Sequence, residues 1–264
     1  MGDRLVLVSP KRLARTYSGR AYEDPWDIVK DYQRVLEYTG RNPNASAGRV
    51  ASALSLPRGR VRPWISNGAI PHPVRGIQTA EAHDWIPLTE DINSFSPINK
   101  LAAWVCSRGT IKPDTYSPFI RIKSDDDRSR LKSVVDDLDL EAQEHRTDDN
   151  HRSTELTIGD NGAILGRLLT CLGVPLDNDT REIAPQYLSA VSVTAQRDFA
   201  RVYIRNRAKY WEFNDRWLVE HQNRSNRYRR SLVTFFQTLG ADADVHEDAI
   251  SIDAAFVTDL GIDA

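Results

Sequence analysis

Leu101-Ala102-Ala103-Trp104-Val105-Cys106-Ser107-Arg108-Gly109, followed by Thr110-Ile111, decides how the rest of the chain is read. An apolar run closing on Ser-Arg-Gly fits one buried helix over about 97–107, ended by Gly109. A weaker echo stands at Asp198–Lys209, inside a second helix spanning about 195–207. The elements after each of these two helices are alike, and that likeness sets the architecture.

After the first helix, Ser117–Ser124 alternates as a strand, with Ile120 and Ile122 on one side and Phe119, Arg121 and Lys123 on the other. A helix over 126–138 turns Leu131, Val134, Val135 and Leu138 inward. Strands at 141–147 and 154–158 flank a polar loop of Asp, Asn and His, and a helix over 161–172 stops at Gly173-Val174-Pro175. After the second helix come strands at 210–213 and 216–221, a helix over 226–239 and strands at 241–246 and 249–253. A short terminal helix closes the chain. Val134-Val135 and Phe235-Phe236 fall at matching places, as do Leu138 and Leu239. The spacing predicts an α+β pseudo-dimer over 97–264, its halves at 97–175 and 185–264.

Upstream the pattern is helical. Residues 1–24 read as a loosely ordered start. A domain over 25–86 then opens with Asp24 as cap, Pro25 in the first turn, and Trp26, Ile28, Val29, Tyr32, Val35 and Leu36 at helical spacing. Val50, Ala51, Ala53 and Leu54 mark a second helix, Ser55-Leu56-Pro57 a turn, and Val61, Trp64 and Ile65 a third. This is the helix-turn-helix order, with Pro63 expected to kink or shorten the third helix. Ile70–Gly76 reads as an extended connector, 78–85 as a further helix and 87–96 as a linker. A generic three-helix bundle with a solvated basic face has the same order.

The charges separate the two readings. The net charge is only −2, with 37 acids in 264 residues, yet no Asp or Glu lies between Glu37 and Glu81. That interval holds Arg41, Arg49, Arg58, Arg60, Arg62 and Arg75. A window so depleted in acid suits an anionic partner such as a nucleic-acid backbone. Arg58, Arg60 and Arg62 sit near the start of the third helix, where arginine can bridge guanine in the major groove. The excess of Asp over Glu and of Arg over Lys suits an archaeal or halophilic proteome. No apolar run is long enough to span a bilayer, and Met1–Arg15 lacks a signal-peptide core, which favours a cytoplasmic, nucleoid-associated protein. Cys106 and Cys171 lie in apolar helical patterns and read as buried free thiols.

Leu101–Gly109 resembles the nine-residue signature of the LAGLIDADG homing endonucleases: Leu101, Ala102 and Gly109 match, and Ala103 stands at the first glycine. The succession of elements resembles that family's αββαββα unit. Leu168-Leu169, Leu172–Pro175 and Ala184–Leu188 add to the likeness, and Phe199–Ala208 stands at the second signature. The resemblance implies two helices packed on a pseudo-two-fold axis, strands laid along the major groove, and an acid at each helix base holding catalytic metal. Arg108 and Arg207 occupy those acid positions, and Ala208 replaces the second glycine. A cation repels the magnesium that a carboxylate would hold. Asp114 and Asp198 are off position as substitutes. A helix-turn-helix beside such a domain is similar to the bacterial sporulation regulator WhiA, with the domain order reversed.

The expectation is therefore a sequence-specific protein that binds double-stranded DNA, a transcriptional regulator on a catalytically inactive fold. No metal, cofactor or small-molecule substrate is expected. The DNA contacts would be Arg49, Arg58, Arg60, Arg62, Arg75, Arg108, Arg121, Lys123, Arg207 and Arg216. Arg108 and Arg207 could instead pair with neighbouring acids. Two other functions remain open: an endonuclease using displaced acids, and a module whose basic window binds an acidic protein.

Overall fold

The computed structural model describes residues 4–19, 22–145, 154–177, 183–220 and 224–263. The polar loop after 147 and the strand ends at 146–147 and 221 lie outside the described residues. The chain forms two compact units, Val8–Pro87, and Met1–Leu7 together with Leu88–Ala264.

The smaller unit is helical. Contrary to the loose start read from its composition, Pro10–Ala14 forms α1, whose Leu13 and Ala14 are buried. Ser9 caps it by accepting from the Arg12 N–H at 3.2 Å. α2 (Pro25–Arg41) is capped by Asp24, which also takes a forked pair of N–H donors from Arg15. α3 (Ala47–Leu54) ends on Ser55, whose left-handed backbone turns the chain sharply into α4 (Arg58–Ser66). Val35, Val50, Ala51 and Val61 form the core here, with Trp64 and Ile65 packed on it. α4 runs on through Pro63 to Ser66, against the expected early stop. The carbonyl that loses its helical donor to the proline belongs to exposed Gly59, where water can serve it.

The supposed connector at 70–76 is a second correction. α5 (His72–Ala82) begins inside it, because prolines in a first turn sacrifice no helical hydrogen bond. At Gly76 a β-carbon would stand 2.0 Å from the Tyr17 hydroxyl oxygen, so any larger residue would have to displace the Tyr17 ring.

The larger unit carries the duplication. α6 (Phe95–Arg108), β1 (Gly109–Ile111), β2 (Pro118–Arg121), α7 (Asp125–Asp136), β3 (Ala142–His145), β4 (Glu155–Ile158) and α8 (Gly162–Cys171) form one αββαββα set. α9 (Val193–Arg207), β5 (Ala208–Trp211), β6 (Arg216–Glu220), α10 (Asn226–Thr238), β7 (Ala243–His246), β8 (Ala249–Asp253) and α11 (Ala254–Asp259) form the second. Each set builds a four-stranded antiparallel sheet, in the orders β1-β2-β4-β3 and β5-β6-β8-β7. The mixed α+β fold is thus as the periodicity predicts. β1 and the first residues of β5 extend what reads from sequence as helix ends and loops.

The two register patterns coincide: Gly109 faces Ile120 in one sheet, and Ala208 faces Val219 in the other. α6 and α9 form the most extensive helix pairing of the unit. Leu101 through Ser107 are all buried, and each fully buried large apolar side chain contributes about 1.5–3 kcal/mol. The segment at 88–94, read as linker, is tied in. The Leu7 N–H donates to the Leu88 carbonyl at 2.8 Å, and Glu90 accepts from the Ser192 N–H at 2.9 Å.

Candidate nucleic-acid interface

In the helical unit, α3 and the start of α4 border a groove lined by Ser46, Gly48, Arg49, Ser52, Ser55, Leu56 and Arg58. The αL turn at Ser55 brings Arg49 and Arg58 to that one groove. Arg62 stands one turn beyond Arg58 and Arg75 lies on α5. Arg49, Arg58, Arg62 and Arg75 are exposed and have no carboxylate partner among the described residues. Arg41 differs, being paired with Glu37 at 2.5 Å. Arg60 is half-buried, its guanidinium 4.0 Å from the centre of the Tyr22 ring. Tyr22 donates to Asp31 at 2.8 Å, and burial followed by that bond pushes its hydroxyl up to about 12. Arg60 is therefore held by its own unit, while the other four point to solvent.

In the α+β unit the bases of α6 and α9 meet in a polar cluster. Asn206 donates to the Ser107 hydroxyl at 2.9 Å across the seam. Arg207 donates to the Ser107 carbonyl at 2.6 Å, and through Nε and Nη2 to the Glu220 carbonyl at 2.8 and 2.6 Å. Arg108 bonds Asp127, which is buried at the third position of α7. A carboxylate is favoured there by the helix dipole, and Ser124 caps the same turn. The other Asp127 oxygen accepts from Arg130 at 2.7 Å, and the oxygen that Arg108 holds also accepts from the Lys123 N–H at 3.2 Å. Burial lowers the Arg108 pKa, with Asp127 opposing and Arg130 and Arg207 adding to the shift. The Arg108 Nε–H is buried without an acceptor among the described residues.

Arg108 thus pairs with an acid, whereas Arg207 holds main-chain carbonyls. These helix bases do not fit a divalent cation: guanidiniums occupy both, and both oxygens of the adjacent carboxylate are taken by N–H donors. Among the described residues, no group of three His, Cys, Asp or Glu side chains could hold a metal ion.

Arg121 is exposed at the end of β2 and Lys123 just beyond it, and Arg121 lies opposite Glu155 of β4. Lys112, with its ammonium 3.9 Å from the centre of the Phe119 ring, belongs to the same face, as β1–β2 pairing requires. Arg216 is already partnered within its own half: it donates to the Ser251 hydroxyl and to Asp242 at 3.0 Å. Sequence reasoning does not single out Asp127, Arg130 or Lys209 as members of the cluster. Lys209 pairs with Glu220 at 2.9 Å, beside the carbonyl that Arg207 holds. The one available signal was the closeness of Lys209 to Arg207 in sequence.

Solved structures match the chain, among them the crystal structure of the N-terminal LAGLIDADG domain of DUF199/WhiA, 10% identical, with a TM-score of 0.44, covering 67% of this chain and 87% of that one. No family model matches the chain, and no curated protein matches it. Among the described residues no helix is long and apolar enough to cross a membrane.

Proposed function

We propose that the protein binds double-stranded DNA in a sequence-dependent way and acts as a transcriptional regulator. In this reading the helical unit Val8–Pro87 is the helix-turn-helix reader, and the α+β unit is a LAGLIDADG-type fold without nuclease activity. The observation that carries it is the set Arg49, Arg58 and Arg62, exposed on α3 and α4 without carboxylate partners among the described residues. Cations left free on one surface support phosphate and base-edge contacts, and α4 offers Arg58 and Arg62 from one face. Exposed Arg121 and Lys123 extend the reading to the β2 face of the larger unit. Loss of cleavage follows from Arg108 and Arg207 at the positions where the resemblance expects acids.

The test is fluorescence anisotropy with a pool of duplexes and then with the selected sites. Affinity should fall steeply with salt. Arg58→Ala or Arg62→Ala should cost about 1–3 kcal/mol on a selected site and less on random duplex. An absence of affinity at low salt would sink the reading. Magnesium-dependent nicking of any selected site, abolished by substituting one acid, would overturn the inactive assignment.

A further inference from the structure

We infer that the tip of the β5–β6 hairpin, Glu212-Phe213-Asn214-Asp215, docks into the groove between α3 and α4 of a second copy of this chain. Comparison of the two halves shows what is unusual about this tip. Both hairpins have the same length between their first pairs, Gly109 with Ile120 and Ala208 with Val219, so Tyr116 and Asp215 are equivalent. Both are left-handed, with φ of 58° and 50°. In the first half the turn is covered. Arg167 of α8 stands 3.7 Å from the centre of the Tyr116 ring, and a β-carbon on Gly166 would meet the Tyr116 carbonyl oxygen at 1.8 Å. In the second half the aromatic side chain is Phe213, at the place of Asp114, and it is 91% exposed.

The Tyr210 hydroxyl donates to Asp215 at 2.9 Å, and its ring lies 5.5 Å from that of Trp217, which braces the turn that carries Phe213. The neighbouring cations along the hairpin, Lys209 and Arg216, are paired with Glu220 and Asp242. Glu212 and Asp215 therefore flank the ring with negative charge that no cation cancels among the described residues. The groove is the complement. Arg49 and Arg58 line it without carboxylate partners among the described residues, and Ala51 and Leu56 add apolar surface. A braced aromatic side chain, with acids on its flanks for two arginines, has the composition of an interface anchor. Tip and groove are different surfaces of one chain, so the contact is head-to-tail and extends from copy to copy. It goes beyond the DNA reading but uses the same groove, so self-association and duplex binding compete for Arg49 and Arg58.

The test is sedimentation velocity on the full chain, without DNA, from low to high micromolar concentration at two salt levels. The sedimentation coefficient should rise with concentration, and less so at the higher salt. Phe213→Ser, and Arg49→Glu together with Arg58→Glu, should each weaken association by about tenfold or more, while Phe213→Trp should retain it. Mixing the two weakened variants decides the geometry. One keeps the groove and the other keeps the tip, so together they should form a 1:1 dimer that does not extend, which also shows that both are folded. A wild-type chain that stays monomeric throughout would overturn the contact. So would association indifferent to both variants, or a mixture that stays monomeric while the wild-type chain associates. Duplex binding by a strictly monomeric chain would defeat this contact and leave the regulator reading standing; self-association without duplex affinity would do the reverse.

Discussion

The Arg207 guanidinium crosses the α6–α9 seam and donates to the Ser107 carbonyl at 2.6 Å, one residue before Arg108. It also closes on the Glu220 carbonyl, so one side chain fastens the base of α9 to its own sheet and to the opposite helix. Arg207→Met leaves these part-buried carbonyls without their donors. The expected loss is about 1–3 kcal/mol, read as a lower urea midpoint at unchanged slope. Arg207→Lys should recover only part, since an ammonium cannot span both acceptors in the same fork.

Asp127→Ala tests the other pin. It leaves the Arg108 guanidinium buried without its counter-charge and frees an Arg130 donor as well. Breaking a buried pair from one side costs about 3–5 kcal/mol. Replacing Arg108 and Asp127 together by Met and Leu should be much milder, and a double-mutant cycle in urea would show the coupling.

Gly109 and Ala208 occupy equivalent places with unequal room. A β-carbon on Gly109 would stand 2.7 Å from the Phe119 carbonyl oxygen and 2.9 Å from the Val105 α-carbon. Gly109→Ala should therefore destabilise by about 1–3 kcal/mol. Ala208→Gly meets no clash and should lose only about 0.5–1 kcal/mol. Equal losses by thermal melting would contradict the asymmetry.

Asp24 provides a pH test. The Arg15 guanidinium, and then the Trp26 N–H, hold its carboxyl down to about 2. The depressed folded-state value means a stabilising contribution present above the ordinary carboxylate range and lost as pH falls through about 2. NMR titration of Arg15→Ala should move Asp24 back toward 3.8, the ordinary value, and flatten the acid limb of stability.

The sequence periodicities place most helices and the larger strands because their inward faces are regular. Leu131, Val134 and Val135 suffice to find α7, and the matching Leu232, Phe235 and Phe236 find α10. β1 escapes such reasoning: three residues carry no period, and only pairing with β2 reveals it. The basic window is legible as composition, but not its outcome that Arg60 turns back onto Tyr22. Nor does any spacing announce that Asp127, nineteen residues on, returns to Arg108. That encounter is made by the β1–β2 hairpin and the first turn of α7, both consequences of tertiary folding.

The bonds that close the α6–α9 seam have a kinetic meaning. Asn99 meets Ala195, and Ser107 meets Asn206 and Arg207, at separations of 96, 99 and 100 residues. Closures of that span come at high entropic cost and follow contacts formed within each half. During synthesis, the side of α6 that α9 covers stays open until α9 has left the ribosome. The interval between the two helices leaves that apolar surface open, the condition under which nascent chains aggregate.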